Sequence, residues 1–126
     1  MAKKIISTEK APSVIGPYSQ AVAYGNMVFT SGQIAIDPAT GELIMDSVEA
    51  ETHQVMKNLT AVLAEEGLDF SNVIKTSIFL KNMDDFARVN EVYASYFSAD
   101  YPARETVQVA RLPKDVNVEI SMIAGK

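Results

Sequence analysis

An α+β fold, with two helices laid on one face of a mixed β-sheet, is predicted for this chain by three observations. Two segments repeat apolar residues at spacings of three and four, the period of a helix with one buried face. About five shorter runs are rich in valine, isoleucine and phenylalanine and read as strands. Their order is strands, helix, strand, helix, strand pair. With 126 residues the chain is expected to form one domain, residues 1–126.

The elements follow in order. Val22 to Tyr24 reads as a strand, with Gly25-Asn26 as a hairpin turn. Met27 to Ile36 reads as its partner, with Thr30-Ser31-Gly32 in its middle. Asp37-Pro-Ala-Thr-Gly41 has the composition of a turn. Asp46 can cap a first helix, with Glu49 three residues on as in a capping box. Val48, Thr52, Val55, Met56, Leu59, Val62 and Leu63 form its buried stripe, and Gly67 is a natural stop. Val73 to Leu80 reads as a strand. Asn82 can cap a second helix with the stripe Phe86, Val89, Tyr93 and Phe97, and Pro102 lies beyond its end. Glu105 to Ala110 and Val116 to Ala124 read as a closing hairpin folded about Leu112-Pro113-Lys114-Asp115. Two helices cover only one side of a sheet. If the other side, with Val28 and Thr30 or their alternates, is apolar, a symmetric oligomer is its simplest cover.

The bulk numbers narrow the function. There is no cysteine, which excludes disulfides and thiolate metal sites and fits a reducing compartment. The start, MAKKIIST, lacks an apolar run of signal-peptide length, and no stretch approaches the ~20 apolar residues of a membrane span. A soluble, cytoplasmic protein without a membrane partner is expected. The net charge is −5 and the basic residues are scattered, which argues against a nucleic-acid partner.

Familiar catalytic templates do not fit. His53 is the only histidine and reads as a solvated helical residue without co-ligands for a metal. No phosphate-cradling glycine loop is present. Ser31 lies before Gly32, but outside any G-x-S-x-G turn. Arg104 is more informative. Its guanidinium presents paired donors that match a carboxylate, at a strand mouth where pockets form. It could equally join a salt bridge, to Glu105 or Asp100. On the predicted hairpin Arg104 lies roughly 7–10 Å from Glu119, room for a small acid between them. Glu119 could then activate a water, or simply face solvent with Asn117 and Ser121. Tyr18, after the Gly16-Pro17 bend, offers a phenol. Ser31-Gly32 offers a hydroxyl and a close backbone approach, or marks a bulge.

Together these clusters carry a resemblance. The segments IGPYSQAV, VFTSGQIAIDPATGEL, NLTAVLAEEGLDFSNVIKTSIFL, MDDFARVNEVYASYF, YPARETV and VARLPKDVNVEI, in this order, resemble the RidA (YjgF-type) reactive imine/enamine deaminases. The resemblance implies a chorismate-mutase-like fold and a homotrimer with a central barrel-like core and a pocket at each subunit interface. It implies hydrolysis of 2-imino acids, derived from 2-aminoacrylate and 2-aminocrotonate, to 2-keto acids and ammonia, without metal or cofactor. By the same resemblance Arg104 holds the substrate carboxylate and Glu119 positions the attacking water. Tyr18 and Ser31 line the pocket, Gly32 and Thr106 bring backbone close to the ligand, and Asn90 lies near the site. Glu105-Thr106 stands where many relatives have Ser-Cys. Thr106 keeps a backbone N–H, and Glu105 is expected to point away from Arg104 along the alternating strand. A non-catalytic carboxylate-binding trimer is the alternative. A ribonuclease or translation inhibitor, a label some relatives carry, fits the acidic charge and single histidine less well.

Overall fold

The computed structural model describes residues 2–126. The elements are β1 (Lys4–Ile6), β2 (Ala21–Tyr24), β3 (Met27–Thr30), α1 (Val48–Ala64), β4 (Val73–Leu80), α2 (Phe86–Ala94), β5 (Ala103–Gln108) and β6 (Val118–Gly125). The strands form one mixed sheet in the order β1-β2-β3-β6-β4-β5. Both helices pack on one face of it, as the apolar stripes require. No helix among the described residues is long and apolar enough to cross a membrane.

Helix α1 buries the whole predicted stripe, together with Glu51 and Asn58. Its cap is Ser47 rather than Asp46: the Ser47 hydroxyl accepts from the Ala50 N–H at 3.0 Å. With Ser47 as the cap, Glu49 falls at the second helical position, out of register for a capping box, and its carboxylate is engaged by Arg88 of α2 at 2.7 and 2.9 Å. The chain leaves the helix through Gly67, whose φ of 73° suits a residue without a side chain. Asn82 caps a short 3₁₀ turn, Met83–Asp85, and α2 starts only after it. Beneath the helices lie Val28, Ile78, Leu80, Val118 and Ile120, none more than 1% exposed. Each such side chain contributes roughly 1.5–3 kcal/mol by leaving water.

Three strand predictions need correction. The run Met27 to Ile36 is a strand only to Thr30; beyond Ser31-Gly32 a single bridge, Gln33 with Ile120, continues toward β6. Lys4–Ile6 adds a sixth strand at the edge. The largest change concerns the last two strands. They form no hairpin: β5 pairs parallel with β4, and β6 lies on the other side of β4, antiparallel to it. Burial explains the placement. In β6 Val118, Ile120, Met122 and Ala124 are buried, so it occupies the sheet centre between β3 and β4. In β5, Arg104, Glu105 and Gln108 are exposed, which suits an edge.

The uncovered face carries Ile5, Val22, Phe29 and Ile123, in register across β1, β2, β3 and β6, and Phe79 and Val107, in register across β4 and β5 opposite Glu119. Val28 lies under the helices, so its alternate Phe29 belongs to the open side, 44% exposed.

Candidate functional site

The strand order separates the two predicted catalytic groups. Arg104 pairs with Thr76, whose side chain faces the helices, whereas Glu119 pairs with Phe79 on the open face. The two therefore stand on opposite faces, with β4 between their strands. The 7–10 Å spacing expected of a hairpin does not exist within one chain.

Arg104 lies in a cleft of ≈ 470 Å³ with Asn90, Tyr93, Ala94, Tyr101 and Pro102. One guanidinium nitrogen donates to Asn90 Oδ1 at 2.6 Å. Its carbon lies 5.2 Å from the centre of the Tyr93 ring and 5.6 Å from that of Phe86, which favours a cation. Tyr93 is fixed in turn: its hydroxyl donates to Thr76 Oγ1 at 3.0 Å. Burial raises the Tyr93 pKa, which keeps the phenol neutral. Neither alternative ion pair forms among the described residues. Glu105 points to the other face, where the Ser77 hydroxyl at 2.6 Å and then Lys75 at 3.2 Å hold it and keep its carboxyl below the usual carboxylate range. The guanidinium is therefore held by rings and one amide, with other N–H donors open to the cleft. Thr106 shares the Arg104 side of β5, and its Oγ1 is buried without a hydrogen-bond partner.

Glu119 lies in a second cleft, of ≈ 550 Å³, that also gathers Tyr18, Ser31, Gly32, Ile15 and Lys114. Its carboxyl is half-buried, and burial alone pushes its pKa up. Gly32 makes room for it: a Cβ there would stand 2.8 Å from the Glu119 carboxyl carbon and Oε2. The Ser31 hydroxyl donates to the carbonyl of Ser19 at 2.5 Å, which ties the Tyr18 loop to the end of β3. Gln20, 4% exposed, pins the next layer: its amide donates to the carbonyls of Thr8 and Pro12 at 3.0 and 2.9 Å. Gly32→Ala is expected to displace the Glu119 carboxyl and to lower any activity that depends on its placement about tenfold. Because only the end of a flexible side chain must move, thermal unfolding should change little, and calorimetry beside steady-state kinetics checks both.

The predicted site residues thus fall into two clefts, Arg104 and Asn90 in one, and Tyr18, Ser31, Gly32 and Glu119 in the other, with Thr106 lining neither. Tyr93 and Tyr101 join the first cleft beyond the sequence reading, and Phe86 flanks the guanidinium from outside its lining, although Tyr93 stands one helical turn from Asn90 and was open to that inference. His53 hydrogen-bonds Tyr96 Oη at 2.8 Å and lines neither cleft. No group of three histidine, cysteine, aspartate or glutamate side chains among the described residues is placed to hold a metal ion.

A family model with the description Endoribonuclease L-PSP matches residues 8–126. The mouse 2-iminobutanoate/2-iminopropanoate deaminase is 48% identical over 122 residues, covering 97% of this chain and 90% of the mouse protein. Other curated relatives of similar identity carry only a RutC-family name. Among solved structures, RidA from an Antarctic Psychrobacter matches with a TM-score of 0.94 at 43% identity, covering 98% of this chain and 99% of that one. Escherichia coli TdcF with bound serine also matches with a TM-score of 0.94, at 47% identity and 98% of each chain.

Proposed function

The chain belongs to the RidA (YjgF-type) family, and on that premise we propose that it hydrolyses 2-imino acids such as 2-iminobutanoate and 2-iminopropanoate to 2-keto acids and ammonia. The observation that carries this reading is the division of the site: a caged arginine with donors free for a carboxylate, and a half-buried glutamate that makes no ion pair among the described residues. The substrate carboxylate lies on Arg104, and the imine carbon faces Glu119 of a second copy. Glu119 takes a proton from water as the oxygen adds to the C=N carbon. Glu119 returns that proton to nitrogen, and as the carbinolamine expels ammonia its hydroxyl oxygen forms the C=O bond and gives its own proton to Glu119, which leaves the 2-keto acid. A protonated imine is already electrophilic, so holding the acid and placing one water is sufficient catalysis.

The two half-sites require assembly, and the open apolar face supplies a surface for it. A homotrimer with interface sites is the arrangement we propose. Phe29→Glu, which sets a charge in the middle of that face, is expected to give a monomer by light scattering and to abolish turnover. A monomer of the parent with full activity contradicts the arrangement.

The reaction is tested by generating 2-aminoacrylate with a serine dehydratase and trapping the imine with semicarbazide. Suppression of trapping by the protein supports hydrolysis, and unchanged trapping refutes it. The serine in the TdcF structure also suits a second reading, a binding-only protein for small carboxylates, in which Glu119 is dispensable.

A further inference from the structure

Beside residues 12–20, the Glu119 cleft is walled by two segments from different parts of the chain, the turn after β3 and the approach to and start of β6. Both are tied to α1 by buried polar side chains. Glu51 is 0% exposed. Its carboxylate accepts from the backbone N–H groups of Asn117 at 2.8 Å and Val118 at 3.1 Å, and from Asn117 Nδ2 at 2.8 Å. Asn58, 1% exposed, follows two helical turns later on the same face. Its Nδ2 donates to the carbonyls of Ile34 at 3.1 Å and Ile36 at 3.0 Å, and its Oδ1 accepts from Gln54 at 2.9 Å. Between the clamps, Gln33 and Ile120 exchange backbone hydrogen bonds of 2.8 and 3.1 Å, which join the walls directly.

Each clamp ends next to a site residue. Val118 precedes Glu119, and Ile34 lies two residues after Gly32, whose open space the Glu119 carboxyl occupies. The rest of the α1 stripe is nearly all apolar and needs no partners. Two fully buried polar side chains are costly unless paired, and here they are paired to backbone at the two points where the walls leave the sheet.

We propose that Glu51 and Asn58 are positioning residues, which from one face of α1 set the separation of the Gly32 turn from the β6 start and so place the Glu119 carboxyl in its cleft. This rests on the imine-hydrolysis reading for its kinetic consequence. Neither residue touches substrate.

The test compares Glu51→Met and Asn58→Leu, which keep volume and remove the clamps, with Glu51→Gln. The glutamine keeps an oxygen for both backbone N–H groups, and a flip of the Asn117 amide restores the third bond. In Glu51→Met and Asn58→Leu, kcat for 2-iminobutanoate is expected to fall about 10- to 100-fold. KM, and the Kd of 2-ketobutyrate, should stay within about threefold of the parent. Glu51→Gln should behave as the parent. The proposal is overturned if folded Glu51→Met and Asn58→Leu turn over like the parent, if kcat and ligand binding fall together, or if Glu51→Gln fails with Glu51→Met. Should Glu51→Met not fold, Glu51→Asp keeps the charge and shortens the reach, and parent kcat in it overturns the claim. If the parent itself hydrolyses no imine, the reaction is refuted separately and the amide resonances of Gly32 and Glu119 decide. Their displacement in the two clamp-removing variants, with return in Glu51→Gln, supports positioning; unmoved resonances overturn it.

Discussion

Arg104→Lys is expected to lower kcat/KM for 2-iminobutanoate about 10- to 100-fold, mostly through KM. The cage around the guanidinium is shaped for a flat, forked cation. Asn90 Oδ1 takes one nitrogen at 2.6 Å, and the Tyr93 and Phe86 rings flank the rest. An ammonium keeps the charge but loses both the paired donors and the stacking on the rings. Arg104→Ala should lose more. Steady-state kinetics with calorimetric titration of 2-ketobutyrate measure the effect, and a lysine variant with parental KM would remove Arg104 from substrate binding.

Glu119→Gln is expected to lower kcat about 10²- to 10⁴-fold while 2-ketobutyrate still binds. Parental turnover would favour the binding-only reading. The same carboxyl predicts two pH effects, since burial holds its pKa above the ordinary glutamate value of 4.5. Turnover that needs the ionised form should fall, on acidification, at a higher pH than an exposed glutamate would give. The stability effect has the opposite sense from that of a salt-bridged acid. The folded protein binds this proton more tightly than the unfolded chain does. Stability therefore declines as pH rises from 4.5 through the raised value, and stays lower above it. Glutamine carries no charge to desolvate, so Glu119→Gln should melt above the parent at pH 7, with the difference vanishing below pH 4. A variant that melts lower at neutral pH contradicts this account of the carboxyl.

Local pattern was a good guide wherever one element decided the outcome. The α1 stripe is found as its periodicity predicts, and the Val73–Leu80 strand as its β-branched and aromatic run predicts. The Gly25-Asn26 hairpin also forms, with Gly25 at a φ of 61°. Pattern failed where two elements compete for the same place. The closing hairpin was inferred because β5 and β6 are neighbours in sequence, the usual arrangement. What decided their positions was a difference in apolar content: ARETVQ tolerates an edge, and the alternation of Val118, Ile120, Met122 and Ala124 demands a centre. That contrast was visible, but it bears on the whole sheet rather than on a pair. Glu51 and Asn58 illustrate a different gap. Period alone places them beside the stripe as ordinary polar neighbours. Only the distant backbone groups they satisfy, in residues 34–36 and 117–118, explain their burial.

That Arg104 rides on a rim strand has a consequence for solubility. One long side of β5 has no neighbouring strand among the described residues, so its backbone is a template on which a stray strand could add. Arg104, Glu105 and Gln108 are then gatekeepers against misassembly, Arg104 while it also lines a cleft, and hydrophobic replacements there would promote precipitation whatever they did to chemistry.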